Sequence, residues 1–223
     1  MTLADKILDF FSTLPDPGPL PKGVAVMNPF VDKKAFTLVR RFYTTFYNDN
    51  NPRTAILGIN PGRFGGGITG IPFTDPIKLE KYCGIENDYE KRAELSADFI
   101  YRMIEAFGGP KKFYRQFYIS AVSPLGFTSN GKNMNYYDDP KLERCLRDFI
   151  VTCLKRQLDF PLDRKRCFCL GEGKNFNYLT KLNRDHAFFD ELIPLPHPRF
   201  VMQYRRRRVD EFVESYVDAL NGQ

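Results

Sequence analysis

Four short apolar runs end in turn-forming residues, and each is reached from the one before through a stretch with helical spacing. They are Thr54–Gly58, Phe117–Val122, Arg166–Leu170 and Glu191–Leu195. Runs this short suit strands buried on both faces, and strands alternating with helices build a mostly parallel sheet covered on both sides. The pattern predicts an α/β fold: a three-layer α/β/α sandwich around a short, mostly parallel sheet. In such sheets ligands bind outside the carboxyl ends of the strands.

The helical stretches are Ala4–Leu14, Asp32–Tyr47, Tyr89–Phe107, Pro140–Gln157 and Arg205–Leu220. The second carries Phe36, Val39, Phe42 and Phe46 at three- and four-residue steps, and Gly108-Gly109-Pro110 is expected to stop the third. Prolines crowd Pro15–Pro21 and exclude regular structure there, so residues 1–31 read as a surface arm with one helix. Thr128–Asn135 reads as a polar loop. With 43% hydrophobic residues, the 223-residue chain suits one core, and residues 1–223 are expected to form a single domain.

No apolar run approaches the ~18 residues that span a bilayer, and Met1–Lys6 lacks the pattern of a secretory leader. The expected protein is soluble, cytoplasmic and monomeric, with no membrane partner. A formal charge of +6 and a pI near 9.0 favour a polyanionic partner, with nucleic acid the first candidate. Cys83, Cys145, Cys153, Cys167 and Cys169 show neither C-x-x-C spacing nor histidines arranged for zinc. They read as small buried hydrophobes, and no metal or organic cofactor is expected.

Two of the strand ends carry chemistry. Thr54–Leu57 runs into Gly58-Ile59-Asn60-Pro61-Gly62-Arg63-Phe64-Gly65, whose glycines let backbone approach a flat ligand closely. Asn60 reads equally as a group at a pocket mouth and as a turn-former, since Asn-Pro is a common turn opener. The last strand runs into Pro196-His197-Pro198-Arg199-Phe200, and His197 has only His186 as a rival. A histidine among prolines is open to a structural reading as well. Gly171-Glu172-Gly173-Lys174-Asn175 lacks the spacing of a P-loop and reads as an ordinary strand-to-helix turn, with Lys174 placed to touch a phosphate. Arg205–Arg208 put positive charge at a helix start, against the helix dipole, which suits a bound phosphate backbone or a solvated face.

With these residues on the page, the chain resembles the uracil-DNA glycosylase superfamily, and within it the SMUG type, the single-strand-selective monofunctional glycosylases. The resemblance covers about Thr54 to Arg208. GINPGRFGGGITGIPF resembles the family's G-x-N-P-G turn followed by F-G, T-G and P-F, and HPRF a shortened H-P-S-P-R. Phe117–Phe127 and Gly131-Lys132-Asn133 are similar to the central strand and the G-R-N loop after it. The resemblance implies that Asn60 positions the attacking water and that His197 donates to O2 of the departing base. It also implies that Phe73 stacks on the flipped base, that Ile59 and Gly62 line its pocket, and that the partner is DNA.

The departures from the pattern carry information. Ala121, preceded by Ser120, stands where the SMUG pattern has an Asn that reads uracil, a pairing similar to that of a second SMUG subfamily. The pocket is then expected to accept a larger base such as xanthine, or to read uracil through Ser120 and backbone groups. Arg63 replaces a proline, and Arg199 aligns with the wedge residue in a loop two residues short. A short wedge implies weak extrusion from duplex and a preference for single strands. Arg63, Lys132, Asn133, Lys174, Arg199, Arg205 and Arg206 are the expected DNA contacts, and Tyr136 and Tyr137 fit a groove that tracks a strand. The alternative is a binding module that holds single-stranded or damaged DNA without turnover.

Overall fold

Residues 1–222 are described by the computed structural model, and Gln223, the last residue of the expected domain, lies outside them. Helix α1 (Leu3–Ser12) opens with a reciprocal capping box between Thr2 and Asp5 and buries Ile7, Leu8, Phe10 and Phe11. It packs on helices α2 (Lys33–Phe46) and α7 (Pro140–Gln157). Between α1 and α2, strand β1 (Val24–Met27) pairs antiparallel with β4 (Gly126–Ser129), which pairs with β5 (Lys132–Met134). The expected surface arm and the expected polar loop therefore both contribute to a second, three-stranded sheet. Strands of three or four residues are too short to display an alternation of polar and apolar positions.

The main sheet joins β2 (Arg53–Gly58), β3 (Phe117–Ala121), β6 (Leu162–Leu170) and β7 (Glu191–Leu195) in the order β3-β2-β6-β7, with every pair parallel. Successive side chains of a strand point to opposite faces. On β3, Phe117 packs edge-on against Phe107 of α5 (Leu95–Phe107), whereas the Tyr118 hydroxyl donates to Gln157 of α7 at 3.0 Å. Helices thus cover both faces of the sheet. On the α5 side lie α9 (Pro198–Tyr204) and α10 (Val209–Asn221), both packed on α5.

Several helix boundaries differ from the sequence reading. Glu94 caps α5 by accepting from the Ser96 and Ala97 amides, so the helix starts at Leu95 instead of Tyr89. Helix α4 (Pro76–Cys83) precedes it and is capped by the fully buried Asp75, which accepts from Lys78. Pro110 opens helix α6 (Pro110–Gln116), because a proline at the first helical position gives up no hydrogen bond. The expected C-terminal helix from Arg205 starts at Val209, and Arg206–Arg208 form a single 3-10 turn before it. The two remaining helices, α3 (Gly66–Thr69) and α8 (Lys174–His186), follow β2 and β6. No described helix is long and apolar enough to cross a membrane. Cys153, Cys167 and Cys169 are buried as expected, but Cys145 is exposed on α7.

Candidate active site

The loops at the carboxyl ends of the four parallel strands surround a cavity of about 870 Å³. After β2 come Ile59, Asn60, Gly62 and Arg63, after β3 Pro124, after β6 Gly171–Asn175, and after β7 His197 and Arg199. Phe73, Ser120, Ala121, Lys132 and Asn133 complete the set of expected site residues found in the lining. Arg205 and Arg206 lie outside it, exposed on the surface next to α9.

Asn60 is held at both ends of its amide. Its Oδ1 accepts from the Tyr136 backbone N–H at 3.1 Å, and its Nδ2 donates to the Met134 carbonyl at 3.2 Å. The segment that holds it is anchored in turn: the Tyr136 hydroxyl donates to Asn175 Oδ1 at 2.7 Å, and Asn175 Nδ2 donates to the Leu170 carbonyl at 3.1 Å. Tyr136 and Asn175 are both buried, so of the two tyrosines expected in the groove only Tyr137 lines the cavity. The Gly171–Asn175 turn is therefore more than a connection. Its last residue ties the end of β6 to the segment that clamps Asn60, and nothing in the G-E-G-K-N spacing announces this.

His197 is the N-cap of α9. Its Nδ1 accepts the Arg199 backbone N–H at 3.1 Å, which leaves the proton of the neutral ring on Nε2. Burial, with a smaller contribution from the Arg199 charge, pushes its pKa down from 6.5 to about 4. Near neutral pH the residue is thus an uncharged, oriented donor. The loop before it is fixed from α10, where the buried Tyr216 hydroxyl donates to the Pro196 carbonyl.

Phe73 adopts φ 53°, an uncommon left-handed conformation for a side chain of this size. This turns its ring over the end of β2, with the His197 ring centroid 6.3 Å away. The end of β3 is less polar than the sequence suggests. Ser120 is buried, and its hydroxyl donates to Gln157 Oε1 at 2.8 Å on the α7 side of the sheet. The expected reading of a base by the Ser120 hydroxyl is displaced by this bond, which leaves the Ala121 methyl and neighbouring backbone at the position.

Two expected DNA contacts are committed to local structure. Asn133 Oδ1 accepts from the Arg63 backbone N–H at 3.1 Å, and the Arg63 guanidinium donates to the Gly131 carbonyl. These bonds staple the β4–β5 turn onto the loop after β2. Lys132 and Lys174 remain exposed at the cavity wall. The sequence reading missed Phe64, which lines the cavity with the Arg92 guanidinium 3.7 Å from its ring centroid. It also missed Phe200 and Tyr204, although an aromatic pair four residues apart directly after the histidine motif is visible in the sequence.

A family model described as the Uracil DNA glycosylase superfamily matches residues 44–221. The chain belongs to that superfamily. A solved structure of wild-type SMUG2 from Pedobacter heparinus is similar over 100% of this chain and 98% of that one, with a TM-score of 0.97 and 45% sequence identity. The parallel four-stranded sheet and its flanking helices are thus the superfamily's fold. As a member, the chain is a DNA glycosylase, a hydrolase that acts on DNA.

Proposed function

We propose that the chain hydrolyses the N-glycosidic bond of deaminated bases in DNA, uracil first and xanthine second, preferring single strands, as the opening step of base excision repair. The observation that carries this reading is the pairing of a neutral, Nε2-protonated His197 with a clamped Asn60 around one cavity that Phe73 overhangs. The target base leaves the strand, enters the cavity and lies against the Phe73 ring.

Bond cleavage moves the electron pair of the C1′–N bond onto the base, whose negative charge gathers on O2. A neutral imidazole donor offsets that charge without transferring its proton, and a preorganised donor of this kind contributes about 100- to 1,000-fold in rate. Water then bonds to C1′ and releases a proton to solvent, leaving an abasic sugar. Asn60 Oδ1 keeps a lone pair for that water beside its bond to Tyr136. An amide is a feeble base, so the leaving group has to be well advanced before water attacks, and turnover needs both the donor at His197 and the water placed by Asn60.

Ala121 supports the wider base range, because a methyl group imposes no hydrogen-bond pattern. Strand scission by alkali, on labelled single strands that each carry one uracil, xanthine, hypoxanthine or thymine, tests the reading. Cleavage at uracil and xanthine that disappears in Asn60→Ala is the expected result. Retention of every strand without scission would replace the enzyme by a module that binds DNA.

A further inference from the structure

Among the described residues, the large hydrophobics exposed to solvent are Met1, Val26, Val31, Leu95, Phe200 and Tyr204, and only the last two line the cavity. Phe200 is 41% and Tyr204 62% exposed. Both project from α9, the helix that His197 caps, while Val201 and Met202 bury its other side. Four residues apart, they meet on one helix face with ring centroids 5.6 Å apart at 43°. The Gln203 amide donates to the Tyr204 hydroxyl at 3.0 Å, and the Arg205 guanidinium lies 5.3 Å from the Phe200 centroid.

Charge around this pair is positive. Arg199 precedes it and Arg205, Arg206 and Arg207 follow it, whereas the first carboxylate engaged in an ion pair there, Glu211, is taken by Arg208. The carboxylates in the cavity lining are Glu94 and Glu172, and Glu94 is occupied as the cap of α5. An exposed aromatic pair bordered by guanidinium groups that form no ion pair among the described residues suits a ligand with flat apolar faces joined by anions, which describes a single nucleic-acid strand.

Resting on the glycosylase reading above, we propose that this face of α9 is a nucleobase subsite: the base next to the excised one stacks on Phe200 and Tyr204. Arg199 and Arg205 take the phosphates on either side of it. In a paired duplex the neighbouring base is already stacked on its own strand, so the platform rewards an unpaired strand. Because His197 begins the same helix, a base seated here fixes the strand relative to the group that faces the leaving base.

The test is a cycle between protein rings and substrate bases. Single-stranded oligonucleotides carry one uracil with natural neighbours, or with a tetrahydrofuran abasic residue on its 5′ or 3′ side. Wild type is compared with the Phe200→Ala/Tyr204→Ala double variant and with Tyr204→Phe. Loss of one stacked base is expected to raise the wild-type KM about tenfold on one side of the uracil. The double variant is expected to show a similar increase with natural neighbours and no further increase with the abasic one, the loss falling on KM more than on kcat. Tyr204→Phe, which keeps the ring, should behave as wild type. Equal penalties in wild type and double variant, or no penalty in either, would overturn the subsite. Absence of scission by wild type on every oligonucleotide would instead remove the glycosylase reading, and the same cycle followed by fluorescence anisotropy would still decide the subsite.

Discussion

A methyl group on Gly58 would sit 2.6 Å from Cζ and 2.8 Å from Cε2 of Phe73, so the ring that overhangs the cavity rests where only glycine leaves room. Gly58→Ala cannot be absorbed by the strand, because Gly58 lies at the buried end of β2, with its carbonyl bonded to the Val122 amide at 2.9 Å. The ring has to move, and it starts from a left-handed backbone with few alternatives. A displacement on the scale of 1 Å at a positioned group costs about 100-fold in rate. We expect kcat/KM on uracil strands to fall by about that factor. The overpacking penalty on stability should stay within about 1–3 kcal/mol in urea denaturation.

The depressed His197 pKa sets the response to acid. Activity that needs the neutral ring should persist well below pH 6.5 and fall only as pH approaches about 4. Stability follows the same titration. Between about 4 and 6.5 the unfolded chain binds a proton at this position that the folded chain does not, so stability falls as pH drops through this window. The loss reaches at most about 3 kcal/mol. In His197→Asn that component should vanish, leaving a flatter dependence of denaturation midpoint on pH over the window, while kcat drops by about 100- to 1,000-fold. An acid limb centred near 6.5 in wild type would contradict the neutral-donor mechanism.

The Tyr136 hydroxyl acts on Asn60 only through the backbone it anchors. Tyr136→Phe leaves Asn175 Oδ1 buried without its donor, which costs about 1–3 kcal/mol of stability. The clamp on Asn60 loosens without being removed. We therefore expect kcat to fall less than in Asn60→Ala, with KM for a uracil strand little changed. A Tyr136→Phe enzyme with wild-type kcat would assign the hydroxyl to stability alone.

The four parallel strands were legible because each ends its apolar residues in a turn, with β2, β3 and the second half of β6 almost wholly buried, and their order along the chain located the cavity at their carboxyl ends. Asn60 and His197 stood out as polar groups at the tips of stiff, proline-bearing turns. The small antiparallel sheet was not legible, since Val24–Met27 and Lys132–Met134 are too short to carry a period and the first of them pairs with Gly126–Ser129, far away in sequence. Nor could the Ser120 hydroxyl be assigned a direction. Its face depends on the register of β3 against α7, and Gln157, thirty-seven residues later, captures it. The connection from Asn175 to Asn60 through Tyr136 was hidden for the same reason: each bond spans a long sequence separation that only the assembled loops bring together.

Arg206 and Lys132 differ in where they stand, and salt can tell them apart from the catalytic groups. Both are exposed and neither takes part in an ion pair among the described residues, but Lys132 lines the cavity whereas Arg206 lies beyond α9. A cation that meets a phosphate of a single strand releases condensed counterions and adds about 0.7 to the slope of log K against log salt. Arg206→Ala and Lys132→Ala should each lower that slope by about 0.7 in anisotropy titrations with single-stranded DNA, without preference for the base carried. Because neither side chain touches Asn60 or His197, saturating DNA should restore the rate in the Arg206 variant. An unchanged slope in Arg206→Ala would mean that the strand leaves the protein before it reaches the arginine run, and would confine the DNA track to the cavity rim and α9.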